Sequence, residues 1–580
     1  MRILFRYGIL AATIGLVACE LEVENPNSPA TSKVLATPND VESLLGSYYL
    51  RWHGAMYNGI NNVWGMANVQ SFENYSSLAN EGQNARAGIP RPPNDNTVGN
   101  VAGSNQQRTY FVHNEVARIA SNILAQLSSP GFTLGSAARD LRGKAFAEFL
   151  RGVSLGYVAL LYDSSAINSQ ATAGDDAGLL YGYRTVMDSA IAALDRAVVH
   201  ANAAIAAAGP GNFPLPSTWI PSSTSFTAAE FIRLARSYNA RFRANVARTP
   251  AERADISAGG MVNWAQVVTE AQNGITADHN NVTNTTTGPY KSWVAAYMGT
   301  LGSGGVWHQM SPFVIGMADT TTAYATWAAE PLATRGSTGA FLMVTPDLRF
   351  PQGGTRAAQQ ADFTIGMCSA ASTPCKRYFR NRPAANDQFA GLSWGFSNYD
   401  HARYYSWFLS GDGTGQNGRI VFFSKAELNL LEAEGHIRKA APNYAAAAAL
   451  INISRTAGMV GGVATGGGLP AIVAFDATSA VPGGAACVPK VPVSARPAGG
   501  GTVTCGTMLE AMKYEKRVET VYQHFAAWFF DMRGWGDLAE GTPLHWAPPY
   551  QDLQSRRLPL YSTGVGTSGK YAATVGTYGW

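Results

Sequence analysis

Apolar residues recur at helical spacing along much of the chain. From Asn39 to Trp52, Val41, Leu44, Leu45 and Tyr48 share one face, which predicts an amphipathic helix. A second is predicted over Thr109–Leu127, with Val112, Val116, Ile119, Ile123 and Leu124 inward. A third covers Ala138–Tyr162. Its stripe of Ala145, Phe149, Gly152, Gly156 and Ala159 is spaced four and three apart, so a neighbouring helix can approach closely. A fourth runs from Tyr183 to Ala208 and stops at Gly209-Pro210. Thr227 and Glu230 form a capping box before a fifth, with Phe226 and Phe231 at the staple positions. A further helix follows Val262-Asn263-Trp264 and ends near Gly274.

The periodicity fails from Asp278 to Arg419, a stretch rich in Gly, Thr, Trp and Tyr. Its strand-like pieces are Phe341-Leu342-Met343-Val344 and Arg377-Tyr378-Phe379. Helical spacing returns at Ser424, where Ser424 and Glu427 spell a second capping box with Phe423 and Leu428 as staple. Ser424–Arg438 and Tyr444–Ala457 read as a helical hairpin. Residues 462–504 form a Gly/Ala/Pro/Val insertion, expected as a surface loop. Thr507, boxed with Glu510, opens one last long helix whose buried stripe runs from Leu509 to Phe529. The expected fold class is mainly α: tetratricopeptide-like helical pairs carrying a long, loop-rich and aromatic-rich insertion with short strands.

The N-terminus follows a different rule. Arg2 and Arg6 precede an apolar run, Tyr7–Val17, too short to span a bilayer as a permanent helix. The run ends in Leu16-Val17-Ala18-Cys19, which looks like a bacterial lipobox, with Cys19 as the lipidated first residue of the mature chain. Acyl chains hold a protein on a membrane without crossing it. No other stretch is expected to reach transmembrane length. The acidic, proline-broken Glu20–Pro29 that follows reads as an extended tether. The expected divisions are 1–18, signal peptide; 19–38, lipidated tether; 39–277, N-terminal helical part; 278–419, irregular ligand-face part; and 420–580, C-terminal helical part with the 462–504 insertion.

Composition narrows the function. Removing Arg2 and Arg6 leaves 41 basic against 39 acidic residues, a balance that argues against nucleic acid or an anionic membrane surface as main partner. Besides Cys19 there are four cysteines. Of three possible connectivities, sequence proximity favours Cys368–Cys375 and Cys487–Cys505, in an oxidising compartment. No histidine lies near either pair at metal-ligand spacing, so no metal is expected there, and no motif calls for a cofactor.

Three blocks carry a resemblance. Phe422–Glu434 contains Glu427-Leu428-Asn429-Leu430-Leu431-Glu432-Ala433-Glu434. It is followed by Ile451-Asn452-Ile453-Ser454-Arg455, then by Glu515-Lys516-Arg517-Val518-Glu519 with Asp531-Met532-Arg533-Gly534-Trp535-Gly536. Together they resemble the SusD/RagB family of outer-membrane nutrient-binding lipoproteins, loosely over most of the mature chain and most specifically in these blocks. Gly534 stands where the family often has a second basic residue. The resemblance implies a non-enzymatic, lipid-anchored surface protein. Such a protein binds an oligosaccharide or peptide and delivers it to a SusC-like, TonB-dependent outer-membrane barrel. The charged residues of these blocks, Glu427, Glu434, Arg455 and Asp531, are expected as inter-helix ion pairs and caps.

Two other classes compete: a lipid-anchored polysaccharide hydrolase, and a scaffold with protein partners only. Gly152-Val153-Ser154-Leu155-Gly156 matches G-x-S-x-G, but a nucleophile elbow needs a strand before its serine, and this one sits in a helical pattern. Gly411–Gly415 follows no clear strand and reads as a loop. The resemblance places ligands on a shallow face built from insertions between helices. Two regions here offer aromatic rings for stacking and amides for hydrogen bonding: Trp64, Phe72, Asn74 and Tyr75 after the first helix, and Tyr290, Trp293 and Trp307 in the irregular region. The expected ligand contacts are Trp64, Asn74, Tyr75, Tyr290, Trp293 and Trp307.

Overall fold

The computed structural model describes residues 35–564 except 58–62, 77–81, 89–90, 101–102, 168–177, 209–212, 223–225, 285–293, 295–296, 299–300, 302–307, 331–340, 369–372, 388–396, 410–416, 494–501, 524–525 and 540. Cys19, its tether and Gly411–Gly415 lie outside these residues. The chain is mainly helical. Its principal helices are α1 (Pro38–Tyr57), α2 (Val63–Gln70), α3 (Ser104–Gln126), α4 (Ala137–Leu161), α5 (Tyr183–Ala208), α6 (Ala228–Asn245), α7 (Trp264–Gln272), α8 (Lys425–Arg438), α9 (Tyr444–Thr456), α10 (Met508–Thr520) and α11 (Ala527–Trp535).

Successive helices pack side by side. α3 lies on α4, α4 on α5, α5 on α6 and α6 on α7, and α8 then docks on α7 and carries α9 and α10. The small-residue stripe of α4 explains the closest of these contacts. A Cβ on Gly152 would lie 2.7 Å from Leu194 of α5, and one on Gly156 only 2.2 Å from the Phe242 ring of α6. The two glycines let the helices approach to within reach of those side chains. Ser154, between them, is buried in mid-helix, so the G-x-S-x-G match is a packing motif.

One helix departs from expectation. By length and hydropathy, Tyr183–Ala207 would qualify as a membrane span. In the fold it packs between α4 and α6, and Arg196 pairs with Glu148 while Asp195 accepts a hydrogen bond from Asn239. Alanine raises its hydropathy, and tertiary packing uses the small side chains instead.

The strands described are short and form two-stranded antiparallel ribbons. β1 (Tyr75–Ser76) pairs with β5 (His308–Gln309), β2 (Ser164–Ala166) with β3 (Leu180–Gly182), and β4 (His279–Thr283) with β8 (Gly418–Phe423). β6 (Phe379–Asn381) pairs with β7 (Tyr399–His401), β9 (Met459–Val460) with β10 (Val463–Ala464), and β11 (Lys490–Pro492) with β12 (Val503–Cys505). The β4–β8 ribbon matters most for the architecture. It brings the end of α7 to the start of α8, so the chain leaves this ribbon at Thr283 and returns to it at Gly418, its direct partner.

Local signals hold where they are complete. Thr227 and Glu230 make both bonds of their capping box, at 3.2 and 2.8 Å. Ser424 caps α8 through the Glu427 N–H, but the Glu427 carboxylate turns away to Arg241, leaving the box half made. Thr507 makes no side-chain cap. The last long helix is broken into α10 and α11, with Tyr522 and Ala526 in the left-handed region at φ 56° and 50°. Phe341–Val344 is not a strand. Its backbone finds other partners: Met343 N–H donates to the Tyr399 hydroxyl and Val344 N–H to Asp319.

Both expected disulfides are present, with Cα–Cα separations of 4.7 Å for Cys368–Cys375 and 5.8 Å for Cys487–Cys505. The 462–504 insertion is not wholly superficial. Ile472, Val481 and Cys487 are buried in a small core shared with α8, α9 and α10. These apolar residues need cover that a solvated loop does not give.

Candidate functional site

The two aromatic-bearing regions, far apart in sequence, meet. Tyr75 pairs with Gln309 and Ser76 with His308, so the segment leaving α2 forms a ribbon with the segment that follows Trp307 in the chain. Beside the ribbon, Asn74 Nδ2 donates to the Tyr297 hydroxyl at 3.1 Å. The ribbon and this side-chain bond thus tie residues 74–76 to 297 and 308–309 directly.

The expected contacts fare unequally. Asn74 and Tyr75 are fully buried, at 0% exposure, so they do not stand on an open face. Asn74 spends its amide on Tyr297, and the pair braces the junction from within. Trp64 belongs to α2, and its side chain lies outside the described residues, as do Tyr290, Trp293 and Trp307.

The turn after α2 is built with some strain. Phe72 is left-handed at φ 59°, a conformation costing a side chain of this kind about 1–2 kcal/mol. Its ring packs on Phe313 at 4.8 Å, and the buried Arg91 guanidinium lies over it at 4.2 Å while donating to Gln70 O. Next to it Glu73 is wholly buried. One oxygen accepts the N–H of Tyr522, itself left-handed, at 2.7 Å, and the other has no partner. Burial pushes the Glu73 carboxyl up to about 8, against the pull of the Tyr522 N–H, so it is mostly protonated at neutral pH. The Tyr522 ring lies 4.6 Å from Tyr297 and 5.1 Å from His401.

Three separate parts of the chain therefore converge: 72–76 from the helical body, 297, 308, 309 and 401 from the insertion, and 522 from the α10–α11 break. Sequence reasoning missed Glu73, Tyr297, His401 and Tyr522. A lone acid inside the apolar and amide run Val69–Tyr75 is the one local signal that pointed there.

A buried ionic cluster holds the insertion against α10. Arg349 bonds Asp347, Glu515 and Glu519, while Tyr514 donates to Asp347 at 2.7 Å. Arg403 reaches Glu519 and lies over the Tyr378 ring at 4.0 Å. The acids singled out in the sequence are spent in similar pairs. Glu427 receives a two-pronged bond from Arg241 at 2.8 and 2.7 Å, and Asp531 pairs with Lys516. Glu434 pairs with Arg253 and Arg438 and accepts Trp535 Nε1. Arg455 differs: its guanidinium donates to the Pro470 and Val488 carbonyls rather than to a carboxylate. A Cβ at Gly534 would sit 2.8 Å from Arg253 Cδ, so the missing side chain makes room for that arginine. Among the described residues, no three His, Cys, Asp or Glu side chains gather as a metal site would require.

No protein-family model matches the chain, and no curated protein matches it. Solved structures do. The chain is similar to a SusD homolog from Bacteroides thetaiotaomicron VPI-5482, at 12% identity over 95% of this chain and 94% of that one, with a TM-score of 0.49. It is similar to a SusD superfamily protein from Bacteroides vulgatus ATCC 8482, at 12% identity over 90% of each chain and a TM-score of 0.45. A laminarin binding SusD-like protein matches at 12% identity over 90% of this chain and 98% of that one, with a TM-score of 0.45.

Proposed function

We propose that this protein is a SusD/RagB-type surface lipoprotein that captures a nutrient, an oligosaccharide or a peptide, and passes it to a TonB-dependent outer-membrane barrel. The observation that carries the reading is the β1–β5 ribbon. It joins the segment after α2 to the segment that follows Trp307, so the chain around the candidate aromatics Trp293 and Trp307, whose rings would stack on a sugar face, is tied to the helical body. The lipobox ending in Cys19 supports an anchored location in the outer membrane, facing outward. The resemblance of residues 422–434, 451–458 and 515–536 supports a barrel as the partner.

Binding without turnover is the expected chemistry. The described acids in the family-like blocks are engaged by arginine or lysine, or sit in the packed interior, where they hold helices together. A hydrolase would need a pair of carboxyl groups facing a common substrate.

Screening one sample against a glycan array while assaying turnover tests the reading. Binding without hydrolysis supports it; hydrolysis of any bound glycan overturns it. For the captured ligand, Trp293→Ala and Trp307→Ala should each weaken binding about tenfold or more, with the melting temperature unchanged. If both variants bind like the parent, or lose stability along with binding, these rings are not the ligand platform. Anchoring is tested separately. Cys19→Ala should release folded protein from the membrane fraction, and co-purification with a barrel in mild detergent should depend on the intact chain. Unchanged fractionation of the variant counts against lipidation.

A further inference from the structure

Large apolar side chains stand exposed together on one side of the helical body. They are Phe111 of α3, Leu179 and Tyr181 at β3, and Leu558, Leu560 and Tyr561 near the end of the described chain, each between 37% and 74% exposed. Bonds between their neighbours put them on one face. The Arg556 guanidinium donates to Gly178 O, and the Tyr561 hydroxyl donates to both oxygens of Asp163, at 2.9 and 2.7 Å. Ser164 and Ser165 follow Asp163 and pair with Gly182 and Tyr181, so residues 556–561 run beside the β2–β3 ribbon. Phe111 adjoins Tyr110, whose hydroxyl donates to Asp552, and Ser165 Oγ donates to Asn114 on the same helix.

A soluble monomer rarely leaves so many large apolar groups together in water. The chain's own continuation starts at the edge of this face. Thr563 and Asn94 exchange backbone hydrogen bonds in both directions, at 2.6 and 3.4 Å, and Asn96 Nδ2 donates to Tyr561 O. Gly564, tight against Pro93, is the last described residue. This clamp fixes the point from which residues 565–580 depart. Those sixteen residues carry Val565, Tyr571, Val575, Tyr578 and Trp580, a single lysine, Lys570, and no acid. The face offers the matching charge. Asp163 at its rim is half-buried and, among the described residues, meets no arginine or lysine at ion-pair distance; the His545 ring 3.8 Å away is kept neutral by burial.

We infer that this face is the docking site of the chain's own residues 565–580, with the tail's rings against Leu179, Leu558 and Leu560 and Lys570 towards Asp163. Reach is no obstacle, because an extended chain spans about 3.3–3.6 Å per residue. Any separate occupant must offset the loss of its translational and rotational freedom on binding. A segment already tied at Gly564 has an effective concentration on the order of millimolar, so modest apolar contact is enough to seat it. Burying the tail's rings and the exposed leucines against one another removes both from water. The single cation of the tail then meets the one rim carboxylate that lacks an arginine or lysine partner.

Hydrogen exchange on the full-length protein in mild detergent tests the assignment, at two protein concentrations about a hundredfold apart. Amides of residues 571–580 should exchange about tenfold more slowly, or slower still, than in a free peptide of the same sequence. Leu179→Ser combined with Leu560→Ser should remove that protection. Both positions are exposed, so the melting temperature should not move. In the reverse direction, Tyr578→Ser combined with Trp580→Ser should quicken exchange at residues 178–182 about tenfold and leave α6 unchanged. Tail amides that exchange at the free-peptide rate in the parent would overturn the assignment. Tail protection kept in the Leu179 and Leu560 variant would place the tail elsewhere and overturn it too. Protection that disappears on dilution would identify a second copy as the occupant instead. Exchange at residues 178–182 that ignores the tail substitutions would show that detergent, lipid or nothing covers the face, and the assignment would fail.

Discussion

Replacing Arg253 by methionine should destabilise the protein by about 3–5 kcal/mol, a large part of the stability of a typical domain. Arg253 is fully buried between Glu434 and Asp531, with contacts of 2.6 and 3.4 Å, and it also donates to the Ala244 carbonyl. Both partners in the main pair are held charged. Burial opposes charge on Glu434, but the Arg253, Arg438 and Lys516 cations overcome it and keep the carboxyl well below the usual range. Removing the arginine leaves a buried carboxylate without its strongest neighbour, and that loss, rather than the net worth of the ion pair, sets the size of the effect. The same side chain fills the space above Gly534, so a cavity adds to the cost. Urea titration of parent and variant at neutral pH measures it. A change below about 1 kcal/mol would mean that Arg438 and Lys516 take over both acids, and the account would fail.

Stability should also fall steeply as the pH drops below about 6.5. Burial lowers His113 and His279 to about 3 each and holds His401 well below the ordinary range. Neither ring nitrogen of His113 or His401 has a hydrogen-bond partner, so nothing in the fold rewards the charged form. The sign follows from proton binding. Between about pH 3 and 6.5 the unfolded chain takes up protons at these histidines and the native chain does not. Their contribution is fully present above the unfolded value and is lost on acidification, at about 1.4 kcal/mol per pH unit for each. Glu73 acts in the opposite direction. Its native carboxyl, raised to about 8, binds a proton that the unfolded chain releases above about 4.5, so its contribution falls as pH rises between those values. Burial raises Asp163, Glu510, Glu515 and Asp531 in the same direction as Glu73 and lowers His200, His436 and His545 in the same direction as the other three histidines, so six histidines stand against five acids and the profile slopes downward on acidification. Urea titrations at pH 7, 6 and 5 should show it, and His113→Phe should reduce the slope by about 1.4 kcal/mol per unit. A flat profile from pH 7 to 5 would refute the assignment of neutral buried histidines.

The consequences of local sequence were legible. The helix over Tyr183–Ala208 falls within the limits set by its periodicity and Gly209-Pro210, and the Thr227 box closes as its residues predict. Both depend on residues three or four positions apart, whose geometry a helix dictates before any tertiary contact forms. The half-made Ser424 box marks the limit. Glu427 was free to turn back on its own helix, but a buried arginine 186 positions away binds it with two charge-assisted bonds, and the distant partner prevails. The α10–α11 break has the same origin. Val518, Val521 and Tyr522 fit a continuous helical stripe, but the Glu73 carboxyl offers the Tyr522 N–H another acceptor and a ring stack holds the side chain in place.

The candidate site divides along the same line. Residue type in the sequence picked out two aromatic regions, the two disulfides and a candidate anchoring cysteine, because side-chain chemistry is carried by the residue itself. Only the tertiary structure decided that Tyr75 pairs with Gln309, that Asn74 bonds Tyr297, and that Glu73 is buried on the Tyr522 N–H with its carboxyl pushed up by burial. Burial decides whether a ring or an amide faces a ligand or the core, and whether a carboxyl is charged. It depends on segments 223 and 449 positions away, brought together by the packing of the whole chain.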